Sequence, residues 1–529
     1  MPRVLICDAI SDDGLKILRE SAEVDVKTGL SEAELVEIAP NYEAMMVRSA
    51  TKITRPILEA ATKLQIVGRA GVGIDNIDVT AATERGVIVV NSPAGNTVAV
   101  AELTLGMMLS LVRKLGPAGA SMKAGDWKRS KFMGTEIYGK TLGVIGTGKI
   151  GTEVIKRAQA FGMNVLGFDP FLTTQRAQQL NIEACEVDDI CERADFITLH
   201  TPLTKDTKHL INAARLAKMK PTTVVINCSR GGIIDETALY EALSNGKLGG
   251  AGLDVFEVEP PKDTPLRELD NVLLTPHLGA STEEAQVEVA VDVARQIREV
   301  FAGRAPQSAV NLPPVPPEAR EFLAPFLPLA EKLGRAQAQI ADGRIESVEL
   351  KFCGELSEYD TSSLTRVFLK GLLQPSFDTP VTYVNAPMLA QQRGVGITES
   401  KSARSDDYAN LIETRVVRND DGHERAREID GTVFERVPHI VAIQGLRVDV
   451  VPEGTLLVIP NTDRPGMVGR VGTLLGDAAI NIVGMQVGRK ERGERAVMVL
   501  SLDEAVPQST LEQLDAMEDL FGARQIDMS

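Results

Sequence analysis

At 529 residues the chain is long enough for three or four domains, and its 43% hydrophobic and 25% charged residues are the balance of a soluble globular protein. A formal charge of −16 argues against general nucleic-acid or acidic-membrane binding, so an anionic substrate needs a local cationic pocket. Five cysteines without a C-x-x-C point to reduced thiols and no metal framework. The start, Met1-Pro-Arg-Val-Leu-Ile, enters a strand directly, and no apolar run reaches the ~18 residues of a membrane span, so the expected location is the cytoplasm.

Residues 1 to about 98 alternate strands (4–7, 24–27, 44–47, 65–69, 87–91) with helices (11–21, 31–38, 54–61, 78–85). Ser31 and Thr54 are candidate N-caps. The rhythm predicts a doubly wound parallel sheet. Its loops carry Arg48 and the run Gly68-Arg69-Ala-Gly71-Val-Gly73-Ile-Asp75. An apolar helix over 98–113 leads into a second domain, 99–282. The loop after it holds Trp127, Lys128, Arg129 and Lys131, a cationic stretch that reads either as a solvated loop or as a subunit contact that also feeds an anion site.

Residues 141–145 form a strand, and Gly146-Thr-Gly148-Lys149-Ile150-Gly151 fits G-x-G-x-x-G. A helix over 153–161 and a strand over 164–168 follow, ending in Asp169. Gly146 makes the turn, Gly148 lets backbone approach a pyrophosphate, and Gly151 lets helix and strand pack. Asp169 accepts from ribose hydroxyls and repels a 2′-phosphate, which selects NAD over NADP. Further strands end in loops with chemistry: 195–200 before Thr201, 222–227 before Cys228-Ser229-Arg230, 249–256 (with Asp254) before Glu259, and 271–276 before His277-Leu-Gly279-Ala280. Parallel strands share one carboxyl edge, so Arg230, Glu259 and His277 converge there.

A helix over 283–301 returns the chain to the first domain, which thus comprises 1–98 and 283–304. Four prolines within 311–317 mark a stiff linker. A small α+β domain is expected over 318–453, with helices at 322–341 and 363–373 and strands at 347–352, 412–417, 432–436 and 439–443. Its Arg393, Lys401, Arg404, His439 and Arg447 read as solvated surface. Residues 455–529 have the βαββαβ order of a ferredoxin-like module.

His277 is the natural general acid/base, Glu259 orients its ring, and Arg230 grips a carboxylate with two parallel hydrogen bonds. With a nicotinamide, this set describes 2-hydroxy-acid oxidation. A serine nucleophile is unexpected without G-x-S-x-G, and five scattered histidines offer no metal site.

These motifs resemble the D-2-hydroxyacid dehydrogenase family over residues 1 to about 304: Gly146-x-Gly-x-x-Gly with Asp169, Asn-Cys-Ser-Arg230-Gly-Gly, Asp254-Val-Phe-x-x-Glu259-Pro-Pro and Pro-His277-Leu-Gly-Ala-Ser. Within it the chain resembles the long-form 3-phosphoglycerate dehydrogenases. It implies two Rossmann/flavodoxin-like domains, an intervening allosteric substrate-binding domain and an ACT domain. It implies oxidation of 3-phospho-D-glycerate to 3-phosphonooxypyruvate, the entry to L-serine biosynthesis, with a side activity reducing 2-oxoglutarate to 2-hydroxyglutarate. NAD contacts are implied for Gly146, Gly148, Lys149, Ile150, Gly151, Asp169, Val72, Thr201, Cys228, Ser229, Asp254, Gly279 and Ala280. Substrate contacts are implied for Arg48, Arg69, Gly71, Asn96, Arg129 and Lys131. In the tail, Asn461, Asp463 and Asn481 match the effector loop, the implied ligand is L-serine held between paired copies, and the assembly is a homotetramer. Alternatives are another D-2-hydroxyacid dehydrogenase, for 2-hydroxyglutarate or glycerate, and an NADH-sensing binding module.

Overall fold

The computed structural model describes residues 1–405, 407–420 and 423–529. The first sheet is wholly parallel, in the order Glu23–Val26, Arg3–Ile6, Ala44–Val47, Ile66–Arg69, Ile88–Asn91. Ser11 and Asp78 cap the helices they precede through their side chains, and Ser31 forms a full capping box with Glu34. Thr54 does not cap its helix; its hydroxyl donates to Glu32, and Pro56 opens that helix instead. The long helix Glu283–Phe301 packs on this sheet and on Asp12–Arg19. Val293 occupies the space over Gly68, where any side chain would overlap it. Val289, Ala290, Val293, Ala294 and Ile297 share one buried cluster with Ile6, Met46, Ile66 and Val90.

The second sheet holds seven parallel strands in the order Val272–Leu274, Gly250–Leu253, Val224–Asn227, Phe196–Leu199, Thr141–Ile145, Asn164–Phe168, Glu183–Ala184. Counted within this sheet, strand order reverses between the first and fourth strands, Thr141–Ile145 and Phe196–Leu199. That is the switch point at which doubly wound sheets bind ligands. The helix Thr97–Val112 packs on the helix Lys149–Ala160 and on the strands Val224–Asn227 and Gly250–Leu253. The helix after the glycine loop begins at Lys149, earlier than the apolar periodicity implied, because Gly148 itself stands at its N-cap.

The proline stretch after residue 310 is not a free spacer at its start. Asn311 Nδ2 donates to the Val87 carbonyl at 2.8 Å, its Oδ1 accepts from the Val89 amide at 2.9 Å, and the Val310 amide reaches the Val89 carbonyl at 2.7 Å. It therefore extends the edge of the first sheet.

The third sheet has six strands, in the order Gly396–Ser402, Arg344–Gly354, Asn410–Asp420, His423–Phe434, Val437–Ile443, Leu446–Val450. The helix expected over 322–341 is two helices, Pro317–Leu323 and Phe326–Gln339, broken before Phe326 at Pro325. Phe326–Gln339 crosses Ser362–Leu373 backbone to backbone at Gly334 and Gly371. The strand Gly396–Ser402 is polar and exposed for nearly its whole length, so it lacks the alternation that reveals strands.

The fourth sheet is antiparallel, in the order Ile482–Arg489, Arg495–Leu502, Thr455–Thr462, Arg524–Asp527, with helices Met467–Asp477 and Gln508–Asp515 between strands. This is the ferredoxin-like arrangement. Gln339 bonds both backbone groups of Asp527, at 2.9 and 3.0 Å, and joins the third and fourth sheets. Thr382 Oγ1 donates to the Gly86 carbonyl at 3.1 Å and joins the third unit to the first. No helix among the described residues is long and apolar enough to cross a membrane.

Candidate active site

The loop Gly146–Gly151 follows the switch-point strand. Gly146 has φ +97°, and its amide donates to the Phe168 carbonyl at 2.7 Å. A side chain on Gly151 would overlap the Gly146 carbonyl, so helix and loop touch only because Gly151 has none. A side chain on Gly148 would meet nothing within 4 Å, and no side chain caps the helix that Lys149 and Ile150 begin. The first-turn amides therefore face open space with the positive end of the helix dipole behind them. Asp169 stands beside this loop: its Oδ2 accepts from the Thr147 amide at 2.9 Å and its Oδ1 from the Phe171 amide at 3.0 Å. Thr201 Oγ1 is buried near Gly146 without a partner among the described residues. A donor-rich turn, an acid at its rim and an orphaned hydroxyl fit a dinucleotide carrying a diol ribose.

At the same edge His277 Nδ1 and Glu259 Oε2 share a 2.8 Å hydrogen bond. Burial pushes the Glu259 carboxyl up, but His277, the Phe256 amide at 3.1 Å and Arg230 together outweigh it and hold the carboxyl below its ordinary range. His277 has φ +55°, and its amide donates to the Asp254 carbonyl at 2.9 Å. Asp254 is fully buried; its carboxylate accepts from Thr275 Oγ1 at 2.6 Å and from the amides of Leu278 and Gly279 at 2.7 and 2.9 Å. Both its oxygens thus hold the loop that presents His277. The Ala280 carbonyl accepts from Gln286.

Arg230 reaches across from the second unit to the first. Its Nε donates to Asp75 Oδ2 at 3.1 Å, and its Nη1 to the Ser229 carbonyl at 2.7 Å. Asn227 bonds the Ser229 amide and hydroxyl and the Arg230 carbonyl, fixing this turn. Arg69 lies against the same 71–75 loop, with its guanidinium where a side chain on Gly71 would be. Burial, then the neighbouring Arg230 and Arg48 charges, bring Arg69 down to about 10 despite Asp75 and Asp8. Arg48 donates through Nη1 to the Ala9 carbonyl at 3.2 Å, and its amide to Asp8 at 2.5 Å. Arg48, Arg69 and Arg230 thus form a cationic cluster suited to an anion bearing more than one charge.

The other candidate residues have these surroundings. Cys228 Sγ is buried 3.5 Å from Met107 Sδ, and burial pushes the thiol up to about 12, so Cys228 presents only backbone. The Val72 carbonyl accepts from Asn91 Nδ2 at 2.5 Å. Asn96 precedes the helix Thr97–Val112 without capping it, and its Oδ1 is buried without a partner among the described residues. Arg129 and Lys131 lie in an exposed turn, Arg129 5.9 Å over Trp127, and neither bonds to the arginine cluster. In the tail Asn461 is buried, its Nδ2 turned to the Thr462 carbonyl at 2.9 Å, so it presents no side chain at the surface. Asp463 and Asn481 do not meet within one chain. Asp463 follows the strand Thr455–Thr462, whereas Asn481 precedes the parallel strand Ile482–Arg489 and so lies at its opposite end. Asn76 was not legible in the sequence. Its Nδ2 donates to the carbonyls of Arg48 and Thr51, both at 2.6 Å, and its Oδ1 accepts from Arg69 at 3.3 Å. Only folding brings those three segments together.

Three family models match the chain: the NAD binding domain of D-isomer specific 2-hydroxyacid dehydrogenases at residues 105–279, the D-3-phosphoglycerate dehydrogenase intervening domain at 322–444, and the ACT domain at 455–519. A D-3-phosphoglycerate dehydrogenase of Methanocaldococcus jannaschii is 47% identical, covering 98% of both chains. That of Bacillus subtilis is 43% identical over the full length of both. Among solved structures, a D-lactate dehydrogenase from Aquifex aeolicus complexed with NAD and lactic acid aligns with TM-score 0.54 and 30% identity, covering 59% of this chain and 99% of that one. The TT0316 protein of Thermus thermophilus aligns with TM-score 0.55 and 34% identity over 58% of this chain and 99% of that one.

Proposed function

The chain belongs to the D-3-phosphoglycerate dehydrogenases, and from that premise we propose how its own residues carry NAD-dependent oxidation of 3-phospho-D-glycerate, the first step toward L-serine. The carrying observation is the His277–Glu259 hydrogen bond placed at the same edge as Arg230. With Nδ1 engaged by Glu259, Nε2 of His277 is the ring nitrogen left to take the C2 hydroxyl proton. Glu259 stabilises the imidazolium so formed. Arg230 holds the carboxylate, and Arg48 and Arg69, with Gly71 and Asn96 beside them, receive the phosphate. NAD, when bound at Gly146–Gly151 with its ribose on Asp169, supplies the hydride acceptor. Thr201, Ser229 and the backbone at Val72, Cys228, Gly279 and Ala280 would hold the cofactor further along the same edge, and Asp254 acts by holding the His277 loop.

Residues 1–98 with 283–304 constitute the substrate unit, 99–282 the NAD unit, 318–453 the intervening unit and 455–529 the regulatory unit. Regulation is by L-serine. Because Asp463 and Asn481 mark opposite ends of the edge strand Ile482–Arg489, an antiparallel second copy along that edge brings Asp463 of one chain toward Asn481 of the other. Arg129 and Lys131 act at a second subunit contact, which completes a homotetramer. The expected location is the cytoplasm.

The test is NADH oxidation with phosphonooxypyruvate and, separately, 2-oxoglutarate, each titrated with L-serine. Preference for the phosphorylated substrate with serine inhibition supports the whole reading. Turnover without a serine response overturns the regulatory part. No turnover with either favours the NADH-sensing module.

A further inference from the structure

Asp463 is already paired within its own chain. Its Oδ2 accepts from Arg489 Nη1 at 2.6 Å and from the Gly493 amide at 3.4 Å. The register explains the meeting. Thr462 pairs with Arg495 and Arg489 with the next residue, Ala496, so the two parallel strands end side by side. The Asp463 side chain is only 18% exposed and that of Arg489 is 53%, so the carboxylate is lodged while the guanidinium is free to swing. A side chain on Gly466 or Gly469, just beyond Asp463, would meet nothing within 4 Å, which leaves room for a small molecule.

We infer that Arg489 is the carboxylate-binding residue of the effector site, and that its pair with Asp463 opens to admit an α-amino acid. The inference rests on the effector reading above. The ligand's ammonium takes the place of the guanidinium on Asp463, and the released Arg489 forks onto the ligand's carboxylate. Each charge exchanges one opposite partner for another, so neither is left uncompensated. An amine without a carboxylate strands Arg489, and a carboxylate without an amine strands Asp463. The pair therefore selects zwitterions before any side chain is read.

The experiment is calorimetric titration of the full-length chain with L-serine and with ethanolamine, which keeps the amine and hydroxyl but lacks the carboxylate. Wild type, Arg489→Ala and Arg489→Lys are compared. L-serine affinity is expected to fall about tenfold or more in Arg489→Ala and to be partly kept in Arg489→Lys. Ethanolamine is expected to bind Arg489→Ala at least as well as wild type, because Asp463 is then uncovered. Equal or tighter L-serine binding by Arg489→Ala overturns the inference and puts the carboxylate elsewhere, such as on the amides that open Met467–Asp477. Should Arg489→Ala fold poorly, the same loss is read in Arg489→Gln. A wild-type chain that binds no L-serine overturns the effector reading and this inference with it.

Discussion

The guanidinium of Arg230 lies against Gly73, in the space that a side chain there would fill. The two residues come from different sheets, and Asp75, two positions on, holds the same guanidinium at 3.1 Å. A glycine of the first unit thus sets the position of a carboxylate clamp borne by the second.

Gly73→Ala should therefore push the Arg230 guanidinium aside while leaving the identity of that residue unchanged. The apparent KM for phosphonooxypyruvate should rise about tenfold to a hundredfold, as expected for loss of charged hydrogen bonds. NADH affinity, read by fluorescence, should hold. An unchanged KM would mean that Arg230 does not grip the substrate.

His277→Ala should lower kcat by about 10²–10⁴ while NADH still binds, because the imidazole acts on the substrate proton. Steady-state and binding measurements on one preparation separate the two. Loss of cofactor binding in a folded variant would move His277 out of the catalytic role.

The Glu259–His277 pair has a pH signature. The folded-state pKa of Glu259 lies below its ordinary value of 4.5, so its contribution to stability is full above that value and is lost as pH falls through the folded pKa. Thermal melts of wild type and Glu259→Gln should differ most at neutral pH and converge in acid. Curves that stay parallel down to pH 3 would show the pair to be energetically idle.

In the third unit, a methyl on Gly334 would overlap the Phe368 carbonyl, a backbone atom that cannot swing aside. Gly334→Ala should cost about 1–3 kcal/mol as the two helices are forced apart. Denaturant unfolding checks it, and a neutral result would mean that the helices slide freely.

Much of the site was legible because its chemistry is carried on short local signals. The glycine spacing, Asp169 at the end of the next strand, and Arg230, Glu259 and His277 at the ends of later strands follow from what each turn needs and from the shared carboxyl edge of a parallel sheet. The strand 396–402 was not legible: it is polar and exposed, and the hydrophobic period that marks a strand arises only where one face is buried.

By itself, then, the sequence determined the βα rhythm, the dinucleotide turn, the chemistry at the strand ends and the ferredoxin-like tail, all properties of neighbours along the chain. Tertiary structure alone decided that Asn76 ties Arg48 to Arg69, that Asp254 is spent on holding the His277 loop, that Asn461 is buried, and that Asp463 meets Arg489 rather than Asn481. Those relations depend on strand register and on which faces of separate sheets close against one another. Register is set by long-range burial and pairing.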